Sequence, residues 1–307
     1  MKTYKAFGLI IFSDVLLSEL VEVHSQKADV SIKIGKVPDT FDGIVFDQGN
    51  KKISVDTFRL DNVGIAKYYV NNGDLIIVEP YENSLFEEVK LFLLGSCMGA
   101  ILHQRKILPL HGSCIHVDGQ AILLTGNSGA GKSTIASAFL NKGYKMITDD
   151  VAAIVMDELN SPMVYPSYPS QKLWEDAIER LGRNDRKKSL NRISNDLDKY
   201  SVESREQFFD KSTRLEFVIE LLPSDAKRVE VQKITGPEKL NIILKNTYRM
   251  FMVAATNNVE LHFLQCVNVA NKVEVYRVVR PRDECLENEI CEGLLEIILK
   301  GGEGNEY

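Results

Sequence analysis

Residues 1–80 alternate apolar and polar positions over short distances, which is the pattern of half-buried strands. Such runs include YKAFGLIIF, VSIKI, KISVDTFRL and AKYYVNNGDLIIVEP, with turn-forming residues between them. The NNGD sequence at 71–74 predicts a hairpin turn. We therefore expect a small, mostly antiparallel β module here. The opening apolar run is short and ends at Ser13 and Asp14, so we expect a strand there rather than a signal peptide.

The spacing of apolar residues becomes helical between residues 84 and 103. The apolar positions that would share one face are Phe86, Val89, Leu93, Leu94, Cys97, Ile101 and Leu102. Ser84 and Glu87 have the spacing of a capping box, so the helix is predicted to start there and to end near His103. The apolar stretch 91–102 is too short to span a bilayer, so we expect a buried helix and no membrane partner.

Strand patterns alternate with helix patterns after residue 105. The runs LPLHGSCIHV, AILLTG, YKMITDDVAAIVM and RLEFVIELL predict strands, whereas STIASAFLNKG, PEKLNIILKNTYRM and ENEICEGLLEIILKGG predict helices. This alternation predicts an α/β fold. We expect two domains: a β-rich N-terminal domain over 1–104 that ends in a helix, and an α/β domain over 105–307.

The stretch 175–214 is the most polar part of the chain and mixes charges of both signs. A solvated helical segment is the simpler interpretation of such a run. The alternative is an insert or lid that faces the substrate. The sequence alone leaves both interpretations open.

Composition narrows the class of protein. The chain has 37 Lys and Arg against 43 Asp and Glu, a formal charge of −6, which argues against a nucleic-acid partner. Its five cysteines are scattered and form no C-x-x-C, so we expect neither a disulfide framework nor a zinc site. A reducing cytoplasm is the expected compartment. Homo-oligomerisation is left open by these numbers.

The strongest motif is the glycine-rich sequence GNSGAGKST between an apolar strand pattern and a helix pattern. It fits the Walker A pattern, which cradles the phosphates of a nucleotide. In such a loop the lysine binds the β- and γ-phosphates and the Ser hydroxyl binds Mg²⁺. The predicted nucleotide-binding residues are Gly126, Asn127, Ser128, Gly129, Ala130, Gly131, Lys132, Ser133 and Thr134.

A phosphoryl-transfer site also needs an acidic group for the metal and a group that activates the acceptor. Asp149 and Asp150 stand in the next predicted strand, where side chains of neighbouring residues normally point to opposite faces. Both can reach one site only if the strand ends or twists there. His111 and His116 lie one strand upstream of the loop. A histidine can partner a carboxylate near neutral pH, although a structural role is the simpler interpretation of each.

The whole sequence LHGSCIHVDGQAILLTGNSGAGKSTIASAFLNKGYKMITDDVAAI resembles the catalytic core of the HPr kinase/phosphorylase superfamily. The resemblance implies a P-loop kinase core related to phosphoenolpyruvate carboxykinase, a mixed sheet with flanking helices, that phosphorylates a protein serine with ATP and Mg²⁺. It implies that Lys132 and Ser133 hold phosphate and metal. It also implies that Asp149 and Asp150 divide metal binding and general-base duty, with His111 in support. We favour Asp149 as the metal ligand and Asp150 as the base.

The sequence departs from the HPr enzymes downstream of the aspartates. Their signature resembling E-x-R-G-x-G is absent, and YPSYPSQKLWEDAI stands in its place. This stretch resembles a divergent branch found beside lasso-peptide genes, which implies a kinase for the C-terminal serine of a precursor peptide. A true HPr(Ser) kinase/phosphorylase, a small-molecule serine kinase and a non-catalytic nucleotide sensor are the alternatives.

Four basic residues are further candidates for contacts to phosphate or to the substrate: Lys172, Arg249, Arg280 and Arg282. Arginine can stabilise a transferring phosphate or bind a peptide carboxylate. Surface or structural pairing is the alternative for each arginine, with Asp283 as a local partner in the RPRD sequence.

Overall fold

The protein is described by a computed structural model over residues 1–174, 191–194, 197–282 and 286–299. The first eighty residues form nine strands: β1 Lys2–Ala6, β2 Leu9–Ser13, β3 Val21–Glu22, β4 Val30–Ile34, β5 Phe46–Asp47, β6 Lys51–Ile53, β7 Thr57–Asn62, β8 Ala66–Asn71 and β9 Leu75–Pro80. They make one sheet in the order β3-β1-β2-β4-β9-β8-β7-β6-β5. The pairings of β4 with β2 and β9 are parallel and the others are antiparallel, so the predicted β module is confirmed.

A helical segment follows the first sheet, as the apolar spacing predicts. It consists of α1 Phe86–Phe92, a π-helical turn Leu93–Cys97 and α2 Met98–Gln104. The predicted capping box is wrong. The helix starts one residue later than Ser84 allows, because Leu85 is the N-cap, and no side chain caps it.

Eleven more strands lie among the described residues after position 105. They are β10 Leu108–Val117, β11 Gln120–Thr125, β12 Lys145–Thr148, β13 Val151–Met156, β14 Pro162–Tyr165, β15 Ser170–Trp174, β16 Asn191–Ser194, β17 Leu197–Glu203, β18 Thr213–Ser224, β19 Glu230–Ile234 and β20 Glu274–Pro281. Eight of them form a sheet in the order β11-β10-β13-β14-β18-β20-β19, with β12 also paired to β10. Because β11 pairs in parallel with β18 as well, five strands close into a ring.

Five helices accompany this sheet in the described part of the chain: α3 Lys132–Asn141, α4 Pro237–Lys245, α5 Phe251–Ala255, α6 Val259–Lys272 and α7 Glu287–Leu299. Neighbouring residues of β11 pack into two different hydrophobic cores. Ile122 packs in the core that contains α3 and α7, whereas Leu123 packs in the core that contains α4 and α6. Helices therefore flank the mixed sheet on both faces, which confirms the predicted fold class.

The charged stretch 175–214 is not helical where it is described at 191–194 and 197–207, apart from a single 3-10 turn at Arg205–Gln207. The strands β16 and β17 pair with β15 into a three-stranded antiparallel sheet. Val202 is buried and contacts Leu173, with Tyr200 packed beside them. Alternate apolar positions in β17 therefore form a strand, and the surrounding charges obscured this pattern. Residues 175–190 lie outside the described residues.

A third core joins the two large sheets. It contains the helical segment 86–104 and much of the first sheet, together with Val151, Ala153, Tyr168 and Tyr248. Within the described residues, no helix is both long and apolar enough to cross a bilayer. The shared core matters for function because Tyr168 and Tyr248 border the candidate site.

Candidate active site

The glycine-rich loop connects β11 to α3, in the strand-loop-helix order that the sequence predicts. Gly131 has a φ of +96° at the start of α3, a left-handed conformation that glycine adopts without steric cost. The ammonium of Lys132 donates hydrogen bonds to the carbonyl oxygens of Gly126, at 2.9 Å, and Asn127, at 3.0 Å. The loop therefore wraps around a largely buried cation at the N-terminus of a helix, an arrangement suited to phosphate.

Asp149 and Asp150 interrupt an otherwise continuous strand. Thr148 pairs with Cys114 and Val151 pairs with His111, so the pairing with β10 has the same register directly before and directly after the two aspartates. Asp150 has a φ of +78°, a conformation that costs a non-glycine residue about 1–2 kcal/mol. This turn breaks the strand alternation, and as a result both carboxylates reach Lys172.

The Asp149 carboxylate is buried and lies against the loop. Its Oδ1 accepts a hydrogen bond from the Ser133 hydroxyl at 3.1 Å and another from the Ser113 hydroxyl. Its Oδ2 accepts a hydrogen bond from the backbone N–H of Lys172 at 2.8 Å. Three donors therefore fix this carboxylate beside Ser133.

The Asp150 carboxylate faces a different set of residues. Its Oδ2 lies 2.7 Å from the Lys172 ammonium, and its Oδ1 lies 3.4 Å from Nδ1 of His111. The same Nδ1 lies 2.9 Å from the Asp150 carbonyl oxygen. Because a carbonyl oxygen only accepts, Nδ1 carries the proton in the neutral ring and Nε2 is left as an acceptor.

Burial and charge set the protonation of the groups around Asp150. Burial lowers the pKa of His111, and the Asp150 carboxylate offsets this only in part, so the ring is neutral at neutral pH. Burial opposes the charged form of Lys172, but the Asp150 carboxylate together with Tyr168 and Tyr248 outweighs it, and the pKa of the ammonium is raised. The site therefore pairs a charged lysine and a neutral histidine with one carboxylate.

The three arginine candidates lie in different parts of the structure. Arg280 lies against the glycine-rich loop, where its Nε donates to the carbonyl oxygen of Ala130 at 3.3 Å. Arg249 instead donates to the Ser96 hydroxyl at 3.0 Å and lies over the ring of Tyr248. Arg282 is exposed beyond the end of β20. Of the three, the structure brings only Arg280 to the loop.

Mg²⁺ is the metal that the resemblance implies, and the oxygen atoms around Asp149 fit it. A carboxylate and the Ser133 hydroxyl are hard ligands of the kind that Mg²⁺ prefers. No cluster of three or more His, Cys, Asp or Glu in the described ranges could enclose an ion. At a nucleotide site Mg²⁺ takes one or two protein ligands and completes its shell with substrate phosphates and water.

Three residues of the site had not been singled out from the sequence. Ser113 binds Asp149 from the neighbouring strand, and Tyr168 and Tyr248 border Lys172 and Asp150. Tyr248 is positioned by a contact between distant parts of the chain, since its backbone N–H donates a hydrogen bond to the Pro109 carbonyl oxygen at 2.9 Å. The position of Ser113 opposite the first aspartate could have been predicted from the paired strands, whereas those of the tyrosines depend on tertiary packing.

Comparison with known proteins adds an independent finding. A family model described as SynChlorMet cassette protein ScmC matches residues 79–179. The putative HPr kinase/phosphorylase 2 of Oceanobacillus iheyensis is 40% identical over 53 residues, which are 16% of this chain and 17% of that protein. The HPr kinase/phosphorylase of Chlorobium limicola is 45% identical over 53 residues, which are 17% of this chain and 15% of that protein. The matched segments are thus a minor part of the length of these relatives.

Among solved structures, the Hpr(Ser) kinase/phosphatase from Coxiella burnetii aligns with 64% of this chain and 99% of that chain. The sequence identity is 12% and the TM-score is 0.34.

Both sequence matches are to HPr kinase/phosphorylases, over 53 residues each. Within the matched segments, they confirm the resemblance to the HPr kinase/phosphorylase superfamily, and the ScmC model fits a divergent branch of it.

Proposed function

We propose that this protein is an ATP- and Mg²⁺-dependent serine kinase whose acceptor is a ribosomally made precursor peptide of the lasso type, phosphorylated on its C-terminal serine. The observation that carries the proposal is the division of the aspartate pair. Asp149 is bonded to Ser133 of the glycine-rich loop, and Asp150 faces His111 and Lys172. One carboxylate is thereby available to the nucleotide and its metal, and the other to an acceptor.

In the proposed reaction the serine Oγ attacks the γ-phosphorus, the bond from that phosphorus to the bridging oxygen of ADP breaks, and the serine proton passes to Asp150. Lys132 and the amides of the loop balance the charge on the phosphates. Lys172 and His111 hold the Asp150 carboxylate in position. Asp149 and Ser133 would hold Mg²⁺, which supplies positive charge to the β- and γ-phosphates when bound. Arg280 is placed to add charge at the loop.

Two features support a peptide as the acceptor. The signature of the HPr enzymes is missing, and in its place the chain carries the sequence that forms β15. Lys172 of β15 binds Asp149 through its N–H and Asp150 through its ammonium. A flexible tail can enter a cleft beside this lysine, whereas a folded carrier protein would have to dock over it.

HPr(Ser) kinase activity is the second candidate, because two HPr kinase/phosphorylases are 40% and 45% identical to this chain over 53 residues. Mass spectrometry separates the two. The protein is incubated with ATP and Mg²⁺ and with a peptide ending in serine, its alanine-terminated control, or HPr. We expect one phosphate on the serine peptide and none on the control. Phosphate on HPr alone would overturn the peptide assignment.

A further inference from the structure

An open cleft lies between α1 and β15 and leads from the surface to Lys172. It encloses about 400 Å³ of space that is continuous with solvent. Its walls carry Leu91 and Leu94 on one side and Ser170 and Ser201 on the other. These side chains give the cleft both apolar and hydroxyl groups, which suits an extended chain with both a side chain and backbone groups to bind.

The inner end of the cleft borders the reacting carboxylate. Lys172 is part of the lining, and its ammonium lies 2.7 Å from Oδ2 of Asp150. The glycine-rich loop approaches the aspartate pair through Ser133 and Asp149 instead. The cleft and the loop thus reach the pair through different residues, which matches a reaction whose acceptor and leaving group lie on opposite sides of the transferred phosphorus.

Tyr168 gives the cleft a hydroxyl group that can bind a ligand. The residue is only 5% exposed and lines the cleft, and its ring packs edge-on against Phe7 at 6.1 Å. Burial raises the pKa of the Tyr168 hydroxyl to about 12, so it keeps its proton and can donate. A hydroxyl donor in the wall of the cleft fits a ligand that carries carbonyl oxygens, such as a peptide backbone.

The charges of the cleft disfavour a second nucleotide as its ligand. At the outer end, the Lys90 ammonium is bonded to Glu19 at 2.6 Å and to Glu87 at 2.8 Å. At the inner end, the Lys172 ammonium is paired with Asp150. Both cations are already neutralised, so the cleft favours a neutral or basic chain segment over a polyphosphate.

We propose that this cleft binds the acceptor peptide. The peptide backbone accepts a hydrogen bond from the Tyr168 hydroxyl, the residue before the serine packs against Leu91 and Leu94, and the serine hydroxyl reaches Asp150. This inference rests on the proposed kinase function and specifies where its acceptor lies. It also makes the first 104 residues part of the acceptor site, because α1 forms one wall and Phe7 supports Tyr168.

Two variants test the cleft without touching the loop. Tyr168→Phe removes one hydroxyl and keeps the ring against Phe7. Leu91→Trp fills the cleft from a half-buried position on α1, and Phe86→Trp, on the same helix but outside the lining, is its matched control. Each is assayed for phosphate transfer from ATP to a synthetic serine-terminated peptide, and for binding of the same fluorescently labelled peptide.

We expect Tyr168→Phe to raise the peptide KM by about 3–10-fold, as one lost hydrogen bond predicts. We expect Leu91→Trp to raise it by more than about tenfold, with the KM for ATP unchanged and Phe86→Trp like wild type. If the wild type transfers phosphate to the peptide and neither variant alters that transfer, the cleft assignment is wrong but the proposed function stands. If the wild type binds the peptide without transferring phosphate, and Leu91→Trp weakens that binding, the proposed function is wrong but the cleft assignment stands. Absence of both binding and transfer overturns both.

Discussion

Replacing Lys172 by methionine removes the ammonium that pairs with Asp150 while keeping a side chain of similar length. The pair is close, at 2.7 Å, and its side chains are only 17% and 24% exposed. The backbone N–H of residue 172 still binds Asp149 in the variant. The substitution therefore isolates one ion pair in the middle of the site.

The expected size of the effect follows from this burial. At an effective dielectric constant of about 20, two unit charges at this distance attract by about 6 kcal/mol, before the cost of desolvation. Breaking a buried pair typically costs about 3–5 kcal/mol, and breaking an exposed pair at most about 1 kcal/mol. Since this pair is mostly buried, we expect Lys172→Met to lower the free energy of unfolding by about 2–3 kcal/mol.

Urea denaturation measures this value, and Lys142→Met is the matched control. Lys142 pairs with Glu292 at 2.8 Å, but these side chains are 32% and 64% exposed, so the control should lose less than about 1 kcal/mol. In a double-mutant cycle with Asp150→Asn we expect a coupling of about 2 kcal/mol. A coupling below about 0.5 kcal/mol, or equal losses for Lys172→Met and Lys142→Met, would refute the reasoning.

Two other predictions concern stability. A Cβ at Gly112 would lie 2.4 Å from the Leu124 carbonyl oxygen, so Gly112→Ala should cost at least about 2 kcal/mol in urea denaturation. Gly293→Ala, with open space around it, should cost nothing; equal effects would contradict the steric account. Burial lowers the pKa of His103 to about 4, against about 6.5 when unfolded. The unfolded chain then binds more protons between these values, so this residue's contribution falls by about 2 kcal/mol from pH 7.5 to 5. In His103→Gln the loss of unfolding free energy between these pH values should be smaller by that amount. An unchanged pH dependence would contradict this role of His103.

The local part of the site was predictable from the sequence because it is encoded in short segments. The glycine-rich loop needs only the strand before it and the helix after it. Asp149 and Asp150 were predicted to converge only if the strand broke, and the positive φ at Asp150 is such a break. For the glycine-rich loop and the aspartate pair, the local sequence therefore predicts both the backbone geometry and the chemical groups of the site.

The remainder depends on contacts between distant segments. Tyr168 is held by Phe7 from the turn between β1 and β2, and Tyr248 is held by the backbone of β10. No local pattern indicates either contact. In β17, Val202 and Tyr200 alternate within a charged run, so the helix prediction there was wrong because charge hid a period of two.

The central claim is that Asp150 takes the proton of an acceptor serine. The most direct test measures transfer of phosphate from ATP to the serine-terminated peptide by Asp150→Asn, alongside its affinity for ATP. The account predicts a loss of about 100-fold or more in kcat with ATP affinity near that of the wild type, whereas Lys132→Ala should weaken both. Near-normal turnover by Asp150→Asn would contradict the account.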